Sequence, residues 1–375
     1  MNIAIDVRTI NKPRSGVGYY VTNLIKNLQD IDTKNHYCLI SNNGEYENTF
    51  KAHPNFESHK TIISNENHFI GDLWENITLP LFLRKKGVDV FHGPAFMIPL
   101  LNGKIGAVVT IHDIVSFRMP STIPKKYALY MQLLIRTVAK RANMVITVSE
   151  FNKRELMDCL NVPESKIKVV HHGVSPMFKP DNDAAKRELL KAKFGVRKNY
   201  MLFVSNLEPR KNLVRLMEAF DQARAKLNGE YQLVICGKKG WLYKEILKTY
   251  EKLRGQDDII ITNYVNEDDL LGLYQNADMF VFPTLYEGFG LPVLEAMASG
   301  APVITSNVSS LPEIAGDAAE LINPLNVEEI SNAMLKLAAS SDTRMEMRKK
   351  GFAQAAKFSW GETARRTLEV YNSIS

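Results

Sequence analysis

Residues 283–305, PTLYEGFGLPVLEAMASGAPVIT, hold the densest chemistry in the chain. An apolar run ends in Glu287-Gly288-Phe289-Gly290, and a helix pattern follows with Pro292 in its first turn and Gly300 at its end. Early proline and late glycine are ordinary helix punctuation. Glycines at a strand-to-helix turn leave backbone N–H groups bare at the positive end of the helix dipole, an arrangement suited to phosphate or sugar hydroxyls. Glu287 precedes this turn, and Glu295 lies in the first turns of the helix. Carboxylates beside a phosphate cradle repel the phosphate, so they make sense where they accept hydrogen bonds from hydroxyls. A sugar nucleotide supplies hydroxyls on both sides of its diphosphate. The bland alternative is a turn-capping Glu287 and a solvated Glu295.

Other residues fall at the ends of apolar runs. Arg210 and Lys211 follow the run 200–205 and precede a helix pattern that Asn212 can cap. Arginine forks onto two phosphate oxygens and lysine acts as a point charge, so the pair can neutralise a diphosphate; otherwise Arg210 faces solvent. His112-Asp113 ends another run, where the imidazole can donate to a hydroxyl or act as a base, or simply be a satisfied histidine. Gly16 and Gly18 follow the first strand pattern and precede the first helix, either near phosphates or as a plain tight turn. The third glycine of a dinucleotide fingerprint is missing, since position 21 is Val21, which disfavours a nicotinamide dehydrogenase. The adjacent His171 and His172 diverge and have no third ligand spaced nearby. Asp181-Asn182-Asp183 is a D-x-D, a pattern that holds a divalent cation in some transferases, but it sits in a polar linker away from any strand end. No metal is expected at the site.

These residues need a scaffold that brings strand ends together. Short apolar runs at 2–7, 37–41, 88–92, 107–111, 143–148 and 167–171, then at 200–205, 231–236, 258–263, 279–283 and 302–305, alternate with helix patterns. Their lack of strict alternation marks strands buried on both faces, hence parallel sheets covered by helices. Val21, Leu24, Ile25 and Leu28 repeat at helical spacing, as do Leu213, Leu216, Met217 and Phe220. The fold class is α/β, with two doubly wound Rossmann-like domains facing a central cleft. Their expected bounds are 1–180 and 181–358, with a final helix pattern at 361–373 within a terminal segment 359–375. Ligands of such sheets bind at the carboxyl ends of the strands.

At 375 residues the chain is too long for one ordinary core, and 45% hydrophobic with 23% charged residues is the composition of a globular protein. Three scattered cysteines, Cys38, Cys159 and Cys236, argue against a disulfide framework or a zinc knuckle. That cysteine usage fits a cytoplasmic protein, and no stretch approaches the roughly 18 apolar residues of a membrane span, so neither secretion nor bilayer insertion is expected. The net charge is +6, and residues 101–180 alone carry 12 basic and 5 acidic side chains. Within that block, residues 124–142 place Tyr127, Tyr130, Met131, Leu134 and Val138 along one side, with Lys125, Lys126, Arg136, Lys140 and Arg141 elsewhere. Such a helix lies on an anionic membrane surface or packs its stripe into the core. Nucleic acid is disfavoured, since no binding motif accompanies the basic block.

The segment with Glu287 and Glu295 resembles the E-x7-E motif of the retaining glycosyltransferases of family 4. The resemblance continues through 204–212 (VSNLEPRKN), 234–241 (VICGKKGW), 264–283 and 358–371, and more loosely through SGVG at 15–18, TIHD at 110–113 and TVS at 147–149. It implies the GT-B fold, a donor nucleotide held mainly by the C-terminal domain, and a last helix that crosses back to the N-terminal domain. It implies that Lys211 contacts the donor diphosphate, that the loop of Gly16 and Gly18 reaches the donor phosphates, and that His112 lies near donor sugar and acceptor. It adds Asn206, Gly237, Val265, Phe289 and Leu291 to the donor-binding set of Arg210, Lys211, Glu287, Gly288, Gly290 and Glu295. Many relatives have a Gly-Arg pair directly after the strand where this chain has Ser205-Asn206, which raises the question whether Arg210 replaces that arginine. The resemblance further implies front-face transfer with retention, no obligatory metal and no cofactor beyond a nucleoside diphosphate sugar such as GDP-mannose or a UDP-sugar. The acceptor would be a saccharide or lipid-linked saccharide of surface-polysaccharide assembly, with the enzyme peripheral at the inner membrane face. Two other classes are a sugar-nucleotide epimerase and a non-catalytic sugar-nucleotide-binding protein.

Overall fold

Apolar runs buried on both faces pair in parallel in each of the two units into which the chain divides. The computed structural model describes residues 1–10, 16–42, 50, 53–61, 68–101, 103–181 and 183–374. One unit comprises residues 1–114, 129–173 and 359–375, and the other 115–128 and 174–358. Residues 115–128 thus pack with the second unit although they lie inside the 1–180 span expected for the first domain.

The first unit holds β1 (Asn2–Asp6), β2 (His36–Ser41), β3 (Phe56–Lys60), β4 (Val90–Gly93), β5 (Gly106–Ile111), β6 (Met144–Thr147) and β7 (Ile167–Val169). They form one parallel sheet in the order β3-β2-β1-β4-β5-β6-β7. Asp6, which interrupts the first apolar run, is paired with the fully buried Arg8 at 2.7 Å. The C-terminal helix Trp360–Asn372 packs along the helix Gly16–Ile31, and Ser359 caps it by accepting from the Glu362 N–H. Tyr371 from this helix reaches the sheet, where its hydroxyl lies 2.7 Å from His92 Nδ1.

The second unit holds β8 (Asn199–Val204), β9 (Tyr231–Cys236), β10 (Ile259–Asn263), β11 (Met279–Phe282), β12 (Val303–Ser306) and β13 (Ala319–Ile322). These form a parallel sheet in the order β10-β9-β8-β11-β12-β13. Strand order reverses between β8 and β11, which pair through Met279 with Met201 and Phe280 with Leu202. At such a switch point the loops leaving the two strands diverge and open a crevice beyond their carboxyl ends.

Both strands that apolar runs fail to announce, β3 and β13, are the outermost of their sheets. An outer strand has only one neighbour and exposes much of its length, so FESHK and AELI carry polar residues where central strands carry aliphatic ones. The helix Lys125–Arg141 settles the orientation of the basic block. Met131 and Val138 are buried together with Ile135, and Tyr127, Tyr130 and Leu134 are half-buried, so the expected stripe is the inward face. The opposite face exposes Leu129 and Leu133 among Lys125, Lys126, Arg136 and Lys140.

Candidate active site

The loops leaving β8 and β11 meet at the switch point of the second sheet. After β8 the chain makes a short turn, Pro209–Lys211, that projects Arg210 and Lys211 back toward the strand end. After β11 it runs through Pro283 to Gly290, whose φ of +117° opens the helix Leu291–Ser299. A side chain at position 290 would be strained in that backbone region. Leu285 N–H donates to the Arg210 carbonyl at 2.9 Å, lacing the two loops. Asn212 adds a second lace. It stands at the expected N-cap of Leu213–Lys226, its carbonyl accepting from the Leu216 N–H, but its side chain makes no cap bond: its backbone is left-handed, its amide donates to the Pro283 and Pro324 carbonyls at 2.9 and 2.6 Å, and its oxygen accepts from Arg215.

Glu287 sits between both cations. Lys211 Nζ donates to Oε1 at 2.5 Å and Arg210 Nη1 lies 3.1 Å from Oε2. Arg210 therefore does not face solvent, and its guanidinium also donates to the Tyr286 carbonyl at 2.6 Å. Burial alone would raise the Glu287 carboxyl, but Arg210 and then Lys211 outweigh it and hold the group below the usual carboxylate range. Burial, then the neighbouring Arg210, pulls Lys211 below its usual value in spite of Glu287. Glu208 Oε2 lies 4.0 Å from the other side of the Arg210 guanidinium, so the two cations face two carboxylates at the strand ends.

Two serines that the sequence patterns did not single out hold the glycine turn. Ser310 Oγ donates to the Glu287 and Phe289 carbonyls at 3.0 and 2.7 Å, and Ser309 Oγ accepts from the Glu287 N–H at 3.2 Å. The Phe289 ring packs edge-on against Phe358 at 5.9 Å between centroids, so it is its backbone rather than its side chain that lines the turn. Leu291 begins the helix, half-buried. Glu295, farther along it, accepts from the Tyr274 hydroxyl at 3.1 Å. Burial pushes its carboxyl up to about 7, against the Tyr274 hydrogen bond and with help from Glu267.

Of the remaining expected donor residues, Gly237 has a structural reason for its type. A Cβ there would lie 1.8 Å from the Ser205 carbonyl oxygen, so only glycine lets the turns after β8 and β9 approach. Asn206 is exposed beside it and Val265 is buried after β10. Asp183 caps the helix Ala184–Phe194 by accepting from the Lys186 N–H, and Asp181 pairs with Lys186 at 3.5 Å. Asn182 lies outside the described residues.

His112, Gly16 and Gly18 belong to the first unit. The glycines are not in a loop before the helix but in the first turn of Gly16–Ile31, with Gly16 exposed and Gly18 buried; Ser15 of the same motif lies outside the described residues. His112 follows β5, its carbonyl fixed by Asn152 Nδ2 at 2.8 Å. Its Nε2–H donates to the Pro94 carbonyl at 2.8 Å, which makes Nδ1 the basic nitrogen of a neutral ring. Burial lowers its pKa despite the Pro94 contact and Asp113. Tyr20, Phe96 and His172 surround the ring at 5.0, 5.6 and 5.4 Å between centroids. Behind it, a buried chain runs from Tyr371 through His92 and Thr110 to the Tyr20 hydroxyl. His92 inside β4 gave no sequence signal, because one histidine in an apolar strand looks like any satisfied core residue.

Residues 14–178 match the family described as Glycosyltransferase Family 4, and residues 186–354 match Glycosyl transferases group 1. O-antigen chain mannosyltransferase B of Escherichia coli is 34% identical over 285 residues, 76% of this chain and 74% of that protein. O-antigen chain mannosyltransferase RfbU of Salmonella typhimurium is 30% identical over 228 residues, 60% of this chain and 58% of its own. Among solved structures, HepE of Anabaena in complex with UDP and glucose superposes with a TM-score of 0.75 at 16% identity, over 99% of both chains. The chain belongs to the group 1 and family 4 glycosyltransferases, with the GT-B fold.

Proposed function

We propose that this protein transfers a mannosyl group, with retention, from a nucleoside diphosphate sugar to a saccharide or lipid-linked saccharide acceptor. GDP-mannose is the first donor to test and UDP-sugars the second. The observation that carries the reading is the Lys211–Glu287–Arg210 triad at the β8/β11 switch point. A diphosphate entering there meets two cations already aimed at one anion. When the phosphate oxygens take over Lys211 and Arg210, Glu287 loses its partners and becomes an acceptor for a sugar hydroxyl. Binding the leaving group and orienting the sugar are then one event. Negative charge grows on the diphosphate as the glycosidic bond breaks, and the two cations with the 288–291 amides stabilise it. Arg210 thus takes the place of the arginine that many relatives carry directly after the strand. Because Lys211 and Arg210 supply this charge, the reading requires no metal and no further cofactor.

Glu295 receives the ribose hydroxyls, and Asn206, Gly237 and Val265 line the nucleotide. His112, neutral and with Nδ1 basic, receives a hydroxyl of sugar or acceptor, while the Gly16 and Gly18 turn offers N–H groups to the phosphates. Front-face attack, with the departing phosphate taking the acceptor proton, fits a triad that holds the diphosphate in place. The mannosyl preference rests on the names of the two relatives above.

Among the described residues no helix is long and apolar enough to cross a membrane. The exposed Leu129 and Leu133, flanked by four cations on the same face, suit peripheral binding to an anionic cytoplasmic leaflet, beside a lipid-linked acceptor. The donor is tested by thermal unfolding with GDP-mannose, UDP-glucose, ADP-glucose and dTDP-glucose. A ligand at about 100 times its dissociation constant adds roughly 2.7 kcal/mol of stability. A shift with GDP-mannose alone supports the reading, and a shift with a different sugar nucleotide replaces the donor.

A further inference from the structure

Strands β2 and β3 pair with Cys38 opposite Glu57 and Ile40 opposite His59. Side chains alternate faces along a strand. Tyr37 and Phe56 stack at 4.2 Å between centroids on one face, and Cys38, Glu57 and His59 project together from the other. The cysteine sulfur, a carboxylate oxygen and an imidazole nitrogen all lie within 4.8 Å of one another. His59 Nε2 is 2.8 Å from Glu57 Oε1, so the imidazole and the carboxylate already converge on one point. A cavity of about 280 Å³ adjoins the cluster, lined by Cys38, Glu57 and also His36, which stands two residues before Cys38 on the same face.

We propose that Cys38, Glu57 and His59 form a binding site for a borderline-soft divalent cation, zinc first, with water or His36 as the fourth ligand. One sulfur, one imidazole and one carboxylate are donors that suit zinc, whereas magnesium and calcium prefer oxygen alone. Bonds of about 2.0–2.3 Å around a tetrahedral ion hold ligand atoms roughly 3.3–3.8 Å apart, so small rotamer changes close the cluster. The His59 ring is braced edge-on by Phe82 at 5.2 Å. Lys86 Nζ, 3.5 Å from Glu57 Oε1, is the competing cation, and its side chain is exposed enough to turn away. Burial, then Glu57, pushes the Cys38 thiol up to about 12, so the thiol is protonated without an ion and an arriving cation must displace that proton. The ion would tie β3, the outermost strand, to β2. No Cys-x-x-Cys spacing announces the site, because its ligands come from two strands and only their register brings them together. The proposal does not depend on glycosyl transfer.

The test titrates the 375-residue chain, reduced and stripped of metal, with cobalt(II) and then zinc. Wild type and Cys159→Ser should each develop a thiolate-to-cobalt charge-transfer absorption saturating at one equivalent and displaced by zinc. Cys38→Ser should lose it, and His59→Gln should weaken zinc binding at least tenfold. Glu57→Gln changes an exposed side chain, so it supplies a folded variant in which affinity should also fall. Absence of the absorption in wild type overturns the proposal. So does an absorption that survives Cys38→Ser, or zinc affinity unchanged in both His59→Gln and Glu57→Gln.

Discussion

Replacing Glu287 by glutamine should tighten the binding of a bare nucleoside diphosphate while slowing transfer. The carboxylate holds Lys211 at 2.5 Å and Arg210 at 3.1 Å. A diphosphate must take those cations from Glu287. A hydrogen bond to a charged group contributes about 1.5–3 kcal/mol net. Neutralising the carboxylate removes at least one competing bond of that strength, together with its repulsion of the incoming phosphates. We therefore expect GDP or UDP, whichever the wild type binds, to bind Glu287→Gln about tenfold more tightly at low ionic strength, a gain of roughly 1.4 kcal/mol. Turnover with a complete donor and an acceptor should fall at least about tenfold, because the sugar loses the group that orients its anomeric carbon. Stability should fall as well, since two adjacent buried cations lose their nearest counter-charge and keep only Glu208, 4.0 Å from Arg210. Calorimetric titration of wild type and variant with GDP and UDP, alongside denaturant unfolding, reads all three quantities. Unchanged or weaker nucleotide binding in a folded Glu287→Gln would refute the exchange of partners.

Three further outcomes follow from other parts of the molecule. Lys211→Ala should weaken binding of the nucleoside diphosphate at least tenfold and leave the nucleoside nearly unaffected; equal losses in a titration of both ligands would remove Lys211 from the phosphates. The Glu295 carboxyl, raised to about 7, is neutral below that pH and accepts ribose hydroxyls fully only above it, so nucleotide affinity should rise as pH increases through 7 and the trend should vanish in Glu295→Gln. The stability linkage runs the other way: the native state keeps a proton that the unfolded chain loses near 4.5, so the protection from this group is present below 4.5 and is lost as pH rises to about 7. Leu129→Ser with Leu133→Ser should reduce sedimentation with anionic vesicles at low salt several-fold without changing the unfolding midpoint; binding that persists in the double variant assigns the membrane surface elsewhere.

Central strands were legible because burial on both faces demands continuous apolar residues, as in the GAVVTI of β5 or the YQLVIC of β9. The outer strands β3 and β13 were not, because a strand with one neighbour tolerates FESHK or AELI. The same logic applies to the site. Glu287, Gly290 and Pro292 announce themselves by type and spacing at a strand-to-helix turn. The serines that hold the turn, Ser309 and Ser310, arrive from the loop after β12, and only the folded sheet shows what they bond. Arg210 was ambiguous in sequence because pairing with Glu287 crosses two loops. The amphipathic pattern at 124–142 left two readings open, because a helix that packs its stripe inward has the same periodicity as one that lies on a membrane; the stripe packs inward, and the exposed leucines are on the other face.

Glycosyl transfer itself is the claim to test most directly. Purified protein incubated with GDP-mannose and a synthetic lipid-linked saccharide can be followed simultaneously for released GDP and for the anomeric proton of the product by NMR. The account predicts one GDP released per glycosidic bond formed, a bond of the donor's own α configuration, and no release when the acceptor is left out. GDP released without a new glycoside, a sugar nucleotide isomerised in the absence of acceptor, or a β-linked product would contradict it.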